Sequence, residues 1–171
     1  SKIKDLQIEI NDLYSKSLKI NDYFSSFNVA QKMVRNFTFI LGPTNSGKTY
    51  RAIEKLKESQ SGVYLAPLRL LALEVYQRLN EEGVKCNLIT GEERIIIPEA
   101  KFTSSTIEMA NFNNIIETAI IDEVQLLNDR DRGYAWTNAI IGLPANNILC
   151  LGTTEIENSL ASLIGHCGKN S

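Results

Sequence analysis

The chain has 171 residues, 43% of them hydrophobic, which suits one domain with room for a sizeable core. Its formal net charge is -2, which excludes a global basic signature of nucleic-acid binding, so any such contact must be a local patch. Cys86, Cys150 and Cys167 lie far apart and form no C-x-x-C pair. They therefore suggest neither a zinc site nor a disulfide framework, but free thiols in a reducing compartment; no apolar run is long enough to span a membrane and no signal peptide is expected.

Taken in order, Ile3, Leu6, Ile10 and Leu13 recur at three- and four-residue spacing and predict an amphipathic helix. Asn21-Asp22 reads as a turn and helix cap, and Tyr23 to about Arg35 as a second helix. Residues 1–35 are thus expected to form a short N-terminal helical appendage that packs on the core or on a neighbouring domain.

Phe37 to Leu41 is an aromatic and aliphatic run suited to a buried parallel strand. Gly42, Pro43, Thr44, Asn45, Ser46, Gly47, Lys48 and Thr49 follow, fitting G-x-x-x-x-G-K-[ST], and helix formers come next, with Ala52, Ile53 and Leu56 near helical spacing. Strand, glycine loop and helix together indicate a P-loop, and all eight loop residues are candidates for holding a nucleotide. Glycines at 42 and 47 are expected to let the backbone turn so that N–H groups face phosphate oxygens, backed by the positive end of the helix. Lys48 is the candidate for the β- and γ-phosphates, and the Thr49 hydroxyl for a Mg²⁺ shell.

Gly62 to Pro67 predicts a second strand, followed by a helix in which Leu68, Leu71, Val75 and Leu79 form one apolar stripe ending at Gly83. Cys86 to Ile89 is a third strand candidate, ending at Thr90-Gly91-Glu92-Glu93. Ile95 to Thr103 is a weaker extended stretch broken by Pro98, and Thr106 to Asn111 a short helix. Ala119 to Ile121 is an apolar strand that ends in Asp122 and Glu123. An acid at a strand's C-terminal tip faces the crevice where open α/β sheets bind ligands. Asp122 can hold Mg²⁺ there, and Glu123 can act as general base toward water. Arg130 to Gly142 predicts loop then helix, with Trp136 packing rather than offering a stacking platform. Ile148 to Leu151 is the last strand, ending at Gly152-Thr153-Thr154, and Glu155 to Ile164 a last helix; His166 is given no role. Alternation of strands and helices predicts an α/β fold with a central parallel sheet.

The blocks GPTNSGKTY, APLRLLALEV, TGEER, STIEMA, IDEVQLL and RGYAWTNAIIGL resemble, in order and approximate spacing, the suppressor-of-var helicases of the mitochondrial degradosome type. These are DExQ-like members of helicase superfamily two, and the resemblance runs from about Arg35 to Gly152. It implies a RecA-like lobe over 36–171, ATP and Mg²⁺ as cofactors, and Asp122 to Gln125 as the second nucleotide motif, with Lys48, Asp122, Glu123 and Gln125 catalytic. It also places the last strand between the P-loop strand and the Asp122 strand.

The same resemblance implies nucleic-acid contacts at Pro67, Arg69, Thr90, Gly91 and Thr106, in the segments Pro67 to Arg69, Thr90 to Glu92 and Thr106 to Glu108. Coupling between the two sites would fall to Thr153 and Thr154, where GTTE stands in place of the family's GEP. RNA or another single strand, a second RecA-like lobe supplying an arginine finger, and a ribonuclease are the implied partners. The implied location is intracellular, cytoplasmic in a bacterium and mitochondrial in a eukaryote. Two alternatives stay open on the residues themselves: a thymidine-kinase-like phosphotransferase, which shares GP-x-x-SGKT and DE-x-Q, and a nucleotide-binding interaction domain without turnover.

Overall fold

A computed structural model describes residues 28–31 and 33–157. The N-terminal helix over Ile3 to Leu13, the Asn21-Asp22 turn, most of the predicted helix over 155–164, His166 and Cys167 lie outside these residues.

Seven strands form one sheet in the order β1-β7-β6-β2-β5-β3-β4. They are β1 (Asn36–Leu41), β2 (Gly62–Ala66), β3 (Cys86–Ile89), β4 (Arg94–Ile95), β5 (Phe102–Thr106), β6 (Ile116–Ile121) and β7 (Ala145–Gly152). Every pairing is parallel except β3 with β4. The last strand does lie between the P-loop strand and the Asp122 strand. Registers Leu41 with Gly152, Ile121 with Cys150, Leu65 with Ile121, and Ala66 with Thr106 bring the strand tips to one edge.

Alternation along the strands divides the core into two layers. On one face Phe37, Leu65, Ala119, Ile121, Ile148 and Cys150 pack under Trp136, Ala139 and Ile140 of the helix Gly133–Gly142. On the other, Tyr64, Ala66, Ile120, Leu149 and Leu151 pack under Lys48–Lys57 and Arg69–Glu81. In chain order the helices are α1 (Asn28–Gln31), α2 (Lys48–Lys57), α3 (Arg69–Glu81) and α4 (Gly133–Gly142). Burial pushes the thiols of Cys86 and Cys150, one in each layer, up to about 12, which leaves both as unreactive packing groups.

Several boundaries differ from expectation. The second helix is helical only over Asn28–Gln31 among described residues, and Met33 to Arg35 leave it. Arg35 is buried instead. Its Nη1 donates to Ile140 O at 2.9 Å and Leu143 O at 3.1 Å, so a cation closes the C-terminal end of α4. Burial lowers that guanidinium to about 10. Leu68 is not part of the buried stripe of α3: it is extended, 57% exposed, and precedes the helix, whose buried side is Ala72, Val75 and Leu79. The weak stretch around Pro98 separates β4, which turns back antiparallel on β3, from β5. The predicted helix after Thr106 is only a 3₁₀ turn over Ile107–Met109.

Candidate functional site

The loop from Gly42 to Thr49 joins β1 to α2. Its left-handed residues are Asn45 at φ 62 and Gly47 at φ 81, not Gly42. Gly47 is thus the loop position that requires glycine's conformational freedom. No side chain caps α2, and the first N–H groups of a helix have no intrahelical partner, so they are available at the loop. Lys48 is buried, and its Nζ donates to Pro43 O at 2.6 Å, Gly42 O at 3.0 Å and Ser46 Oγ at 3.3 Å. The charge is therefore already turned into the loop's concave side.

Asp122 continues β6, its N–H donating to Leu65 O at 3.1 Å, and is 4% exposed. Three donors fix its carboxylate: Tyr64 Oη to Oδ2 at 2.5 Å, Thr49 Oγ1 to Oδ2 at 3.3 Å, and the Glu123 N–H to Oδ1 at 2.8 Å. Burial pushes the carboxyl up, and the hydrogen bonds pull it partly back. The Tyr64 hydroxyl is raised by its own burial and by Asp122, so it stays a donor.

Glu123 has a left-handed backbone, φ 51 and ψ 50, before a 3₁₀ turn over Val124–Asn128. Gln125 bridges two segments: its Nε2 donates to Glu123 Oε2, and its Oε1 accepts from the Thr153 N–H at 3.2 Å. Thr153 Oγ1 is buried without a hydrogen-bond partner, while Thr154 is exposed.

A second region on the same sheet edge is an open groove of about 390 Å³ that includes Pro67, Arg69, Gly91 and Thr106. Four of the five residues proposed for nucleic acid therefore share one cleft. Thr90 does not join them. It is 4% exposed, and its hydroxyl accepts from the Glu92 and Glu93 N–H groups at 3.1 and 3.0 Å, so its side chain shapes the turn. Arg69 is held by Glu93, Nε to Oε1 at 2.6 Å, with Glu92 Oε2 at 3.3 Å, and remains 44% exposed. The Glu93 contact raises its guanidinium.

Tyr64, Arg132 and Trp136 make contacts that the motifs did not single out as functional. Trp136 does pack, being fully buried, but its Nε1 also donates to Asp122 O at 2.9 Å. Arg132 lines the groove beside Glu108. The only signal for either was the block RGYAWT itself.

No helix among the described residues is long and apolar enough to cross a membrane. In solved structures the fold is similar to Saccharomyces cerevisiae Dbp5 bound to Nup159, Gle1, IP6 and ADP, with TM-score 0.57 and 17% identity over 95% of this chain and 49% of that one. It is also similar to the arterivirus nonstructural protein 10 helicase in complex with DNA, with TM-score 0.53 and 14% identity over 75% of this chain and 30% of that one. Identity that low bears on fold alone, and the fold is that of RecA-like helicases.

In sequence, the chain is 43% identical over 147 residues to the mitochondrial ATP-dependent RNA helicase SUV3 of Saccharomyces paradoxus, covering 83% of this chain and 20% of that protein. It is 47% identical over 126 residues to human mitochondrial SUPV3L1, covering 71% of this chain and 16% of that protein. The chain thus spans about a fifth of the length of such relatives. A family profile, the DEXQ-box helicase domain of Suv3, matches residues 24–171, and the chain belongs to that family.

Proposed function

We propose that the chain is the ATP-binding lobe of an ATP-dependent RNA helicase, with 36–171 as the first RecA-like lobe and 1–35 as an appendage. The observation that carries this is the 3.3 Å contact between Thr49 Oγ1 and Asp122 Oδ2, which joins the P-loop to the acidic strand tip. The pair fits Mg²⁺: both are hard oxygens, and Mg²⁺ in phosphate sites takes few protein ligands. When bound, Mg²⁺ would supply neutralisation of charge on the β- and γ-phosphates.

The remaining steps belong to side chains. Lys48 offers its ammonium to the same phosphates in place of Gly42 O and Pro43 O. Tyr64 and the Glu123 N–H keep the Asp122 carboxylate from rotating. Glu123, held by Gln125, accepts a proton from the attacking water. Thr153, tied to Gln125 and carrying a buried hydroxyl with unused bonding capacity, supports a coupling role. The exposure of Thr154 suits contact with a second lobe, from which an arginine finger would come. A ribonuclease partner follows from the family resemblance alone. The mitochondrial relatives support action in that organelle in a eukaryotic source; a cytoplasmic place in a bacterial source follows from the family resemblance alone.

Stimulation of ATP hydrolysis by single-stranded RNA in the full-length two-lobe protein tests this reading; a rate indifferent to RNA would remove it. Tyr64→Phe should leave folding intact but raise the Mg²⁺ concentration needed for half-maximal nucleotide binding by about tenfold, as for other partners that orient a metal ligand. A Mg²⁺ titration with a fluorescent nucleotide measures this, and an unchanged midpoint would leave Tyr64 as core packing.

With net charge -2, RNA affinity must come from oriented groups in the cleft, chiefly Arg69, the Gly91 backbone and Thr106. Such contacts meet phosphate and sugar and carry no base preference. In the two-lobe protein, Arg69→Ala should weaken binding about equally for all sequences and flatten the salt dependence by roughly one phosphate contact. An unchanged salt slope would confine Arg69 to its ion pairs with Glu92 and Glu93.

A further inference from the structure

The start of α4 touches both halves of the sheet's functional edge. Arg132 Nη2 donates to Pro67 O at 2.7 Å and Glu108 Oε1 at 3.0 Å, and its Nε donates to Glu108 Oε2 at 2.9 Å. Pro67 follows β2 and Glu108 follows β5, so one planar guanidinium ties together two walls of the groove. The same guanidinium lies 5.2 Å from the centroid of the Trp136 ring, within cation–π range. Trp136 in turn donates to the Asp122 carbonyl at 2.9 Å. That carbonyl belongs to the peptide leading into Glu123, whose φ of 51 is costly for a residue with a side chain and must be held by its surroundings.

We propose that Arg132 and Trp136 are positioning residues that transmit occupancy of the groove to the carboxylate of Glu123. The inference rests on the helicase reading above. A phosphate entering the groove draws on the charge that Glu108 now neutralises and shifts the walls that Arg132 spans. The indole beneath Arg132 is fully buried, and a close-packed interior passes such a shift on rather than absorbing it. The indole N–H carries it to the Asp122–Glu123 peptide, and so to the position from which Glu123 meets water. A pair that merely supported the fold would change stability, and would change the basal and stimulated rates alike.

The test uses the full-length two-lobe protein with a single-stranded oligouridylate as the RNA. Arg132→Met keeps the stem and removes the fork; Trp136→Phe keeps an aromatic ring and removes the N–H; Glu108→Gln weakens the fork from its exposed side. ATP turnover with and without RNA, RNA affinity by fluorescence anisotropy, and melting temperature are read for each. Coupling between sites commonly corresponds to about 5- to 150-fold, and about a tenfold loss of RNA stimulation is expected in Arg132→Met and Trp136→Phe, with the KM for ATP unchanged.

The loss in Glu108→Gln should be smaller and in the same direction. The Arg132→Met, Trp136→Phe double variant should be no worse than the worse single one. Full stimulation in folded Arg132→Met, or additive losses in the double variant, overturns the inference while leaving the helicase reading intact. Should Arg132→Met not fold, Glu108→Gln with undiminished stimulation overturns it equally. A wild type that RNA does not stimulate overturns the helicase reading itself, and this inference with it.

Discussion

Replacing Glu123 with Gln should cut ATP turnover by about 100- to 10,000-fold, the span typical of a removed general base, while the KM for ATP changes little. The substitution suits the site. Gln has the same length, keeps an oxygen to accept from Gln125 Nε2, and asks nothing new of the left-handed backbone at this position. The carboxylate of Asp122 keeps its donors, Tyr64 and Thr49, so binding of Mg²⁺ and nucleotide should persist. Steady-state hydrolysis and nucleotide binding in the two-lobe protein, measured with saturating RNA, check both halves. Equal turnover in wild type and variant would take the proton-accepting role away from Glu123.

Lys48→Ala acts one step earlier. A hydrogen bond to a charged group is worth about 3 kcal/mol at the upper end of the usual span, and each 1.4 kcal/mol is tenfold, so nucleotide affinity should fall by about 100-fold. The fold should survive, because the side chain bonds only to its own loop, to Gly42, Pro43 and Ser46, and not to a distant strand. Titration of a fluorescent ATP analogue reads the affinity, and a thermal melt without nucleotide reads the fold. Undiminished affinity in a folded variant would mean that the loop's N–H groups alone hold the phosphates.

What the sequence made legible was local. The nucleotide loop needs one contiguous octapeptide from Gly42 to Thr49, and each strand that reaches it ends in a recognisable run. Strand order is not local, and the place of β7 between β1 and β6 came through the family resemblance rather than through periodicity. Beyond the pairing of the two nucleotide motifs, contacts between residues distant in the chain left no trace. Tyr64 reads as one more β-former in GVYLAP, yet its hydroxyl meets Asp122 across 58 positions. Arg132 meets Pro67 across 65. Arg35 looked like the end of a helix because nothing nearby in sequence shows that the carbonyls at the end of α4 await it. Leu68 looked like core because the stripe was extended one residue before the helix begins. Thr90 stood out only as the residue after the third strand, and its burial in the turn there was not legible.

Gly133 shows the same division at atomic scale. A Cβ there would stand 2.4 Å from Leu127 O, so α4 can begin so close to the turn after Glu123 only because this residue has no side chain. That approach brings Trp136 against Asp122, while the sequence shows only a glycine at a helix start.

The placement of β1 has a mechanical consequence. Among the described residues it is one of the two edge strands, bonded along one side to β7 alone, yet it delivers the nucleotide loop. Strands held on a single side peel first, so local melting at this margin would carry the loop away while β6, bonded on both sides, keeps Asp122 in place. A nucleotide gripped by the loop opposes that peeling and adds stability in proportion to the logarithm of its concentration over its dissociation constant. Cellular nucleotide supply would then act as a fastener at this seam, and depletion would fray the lobe from the side that senses the shortage.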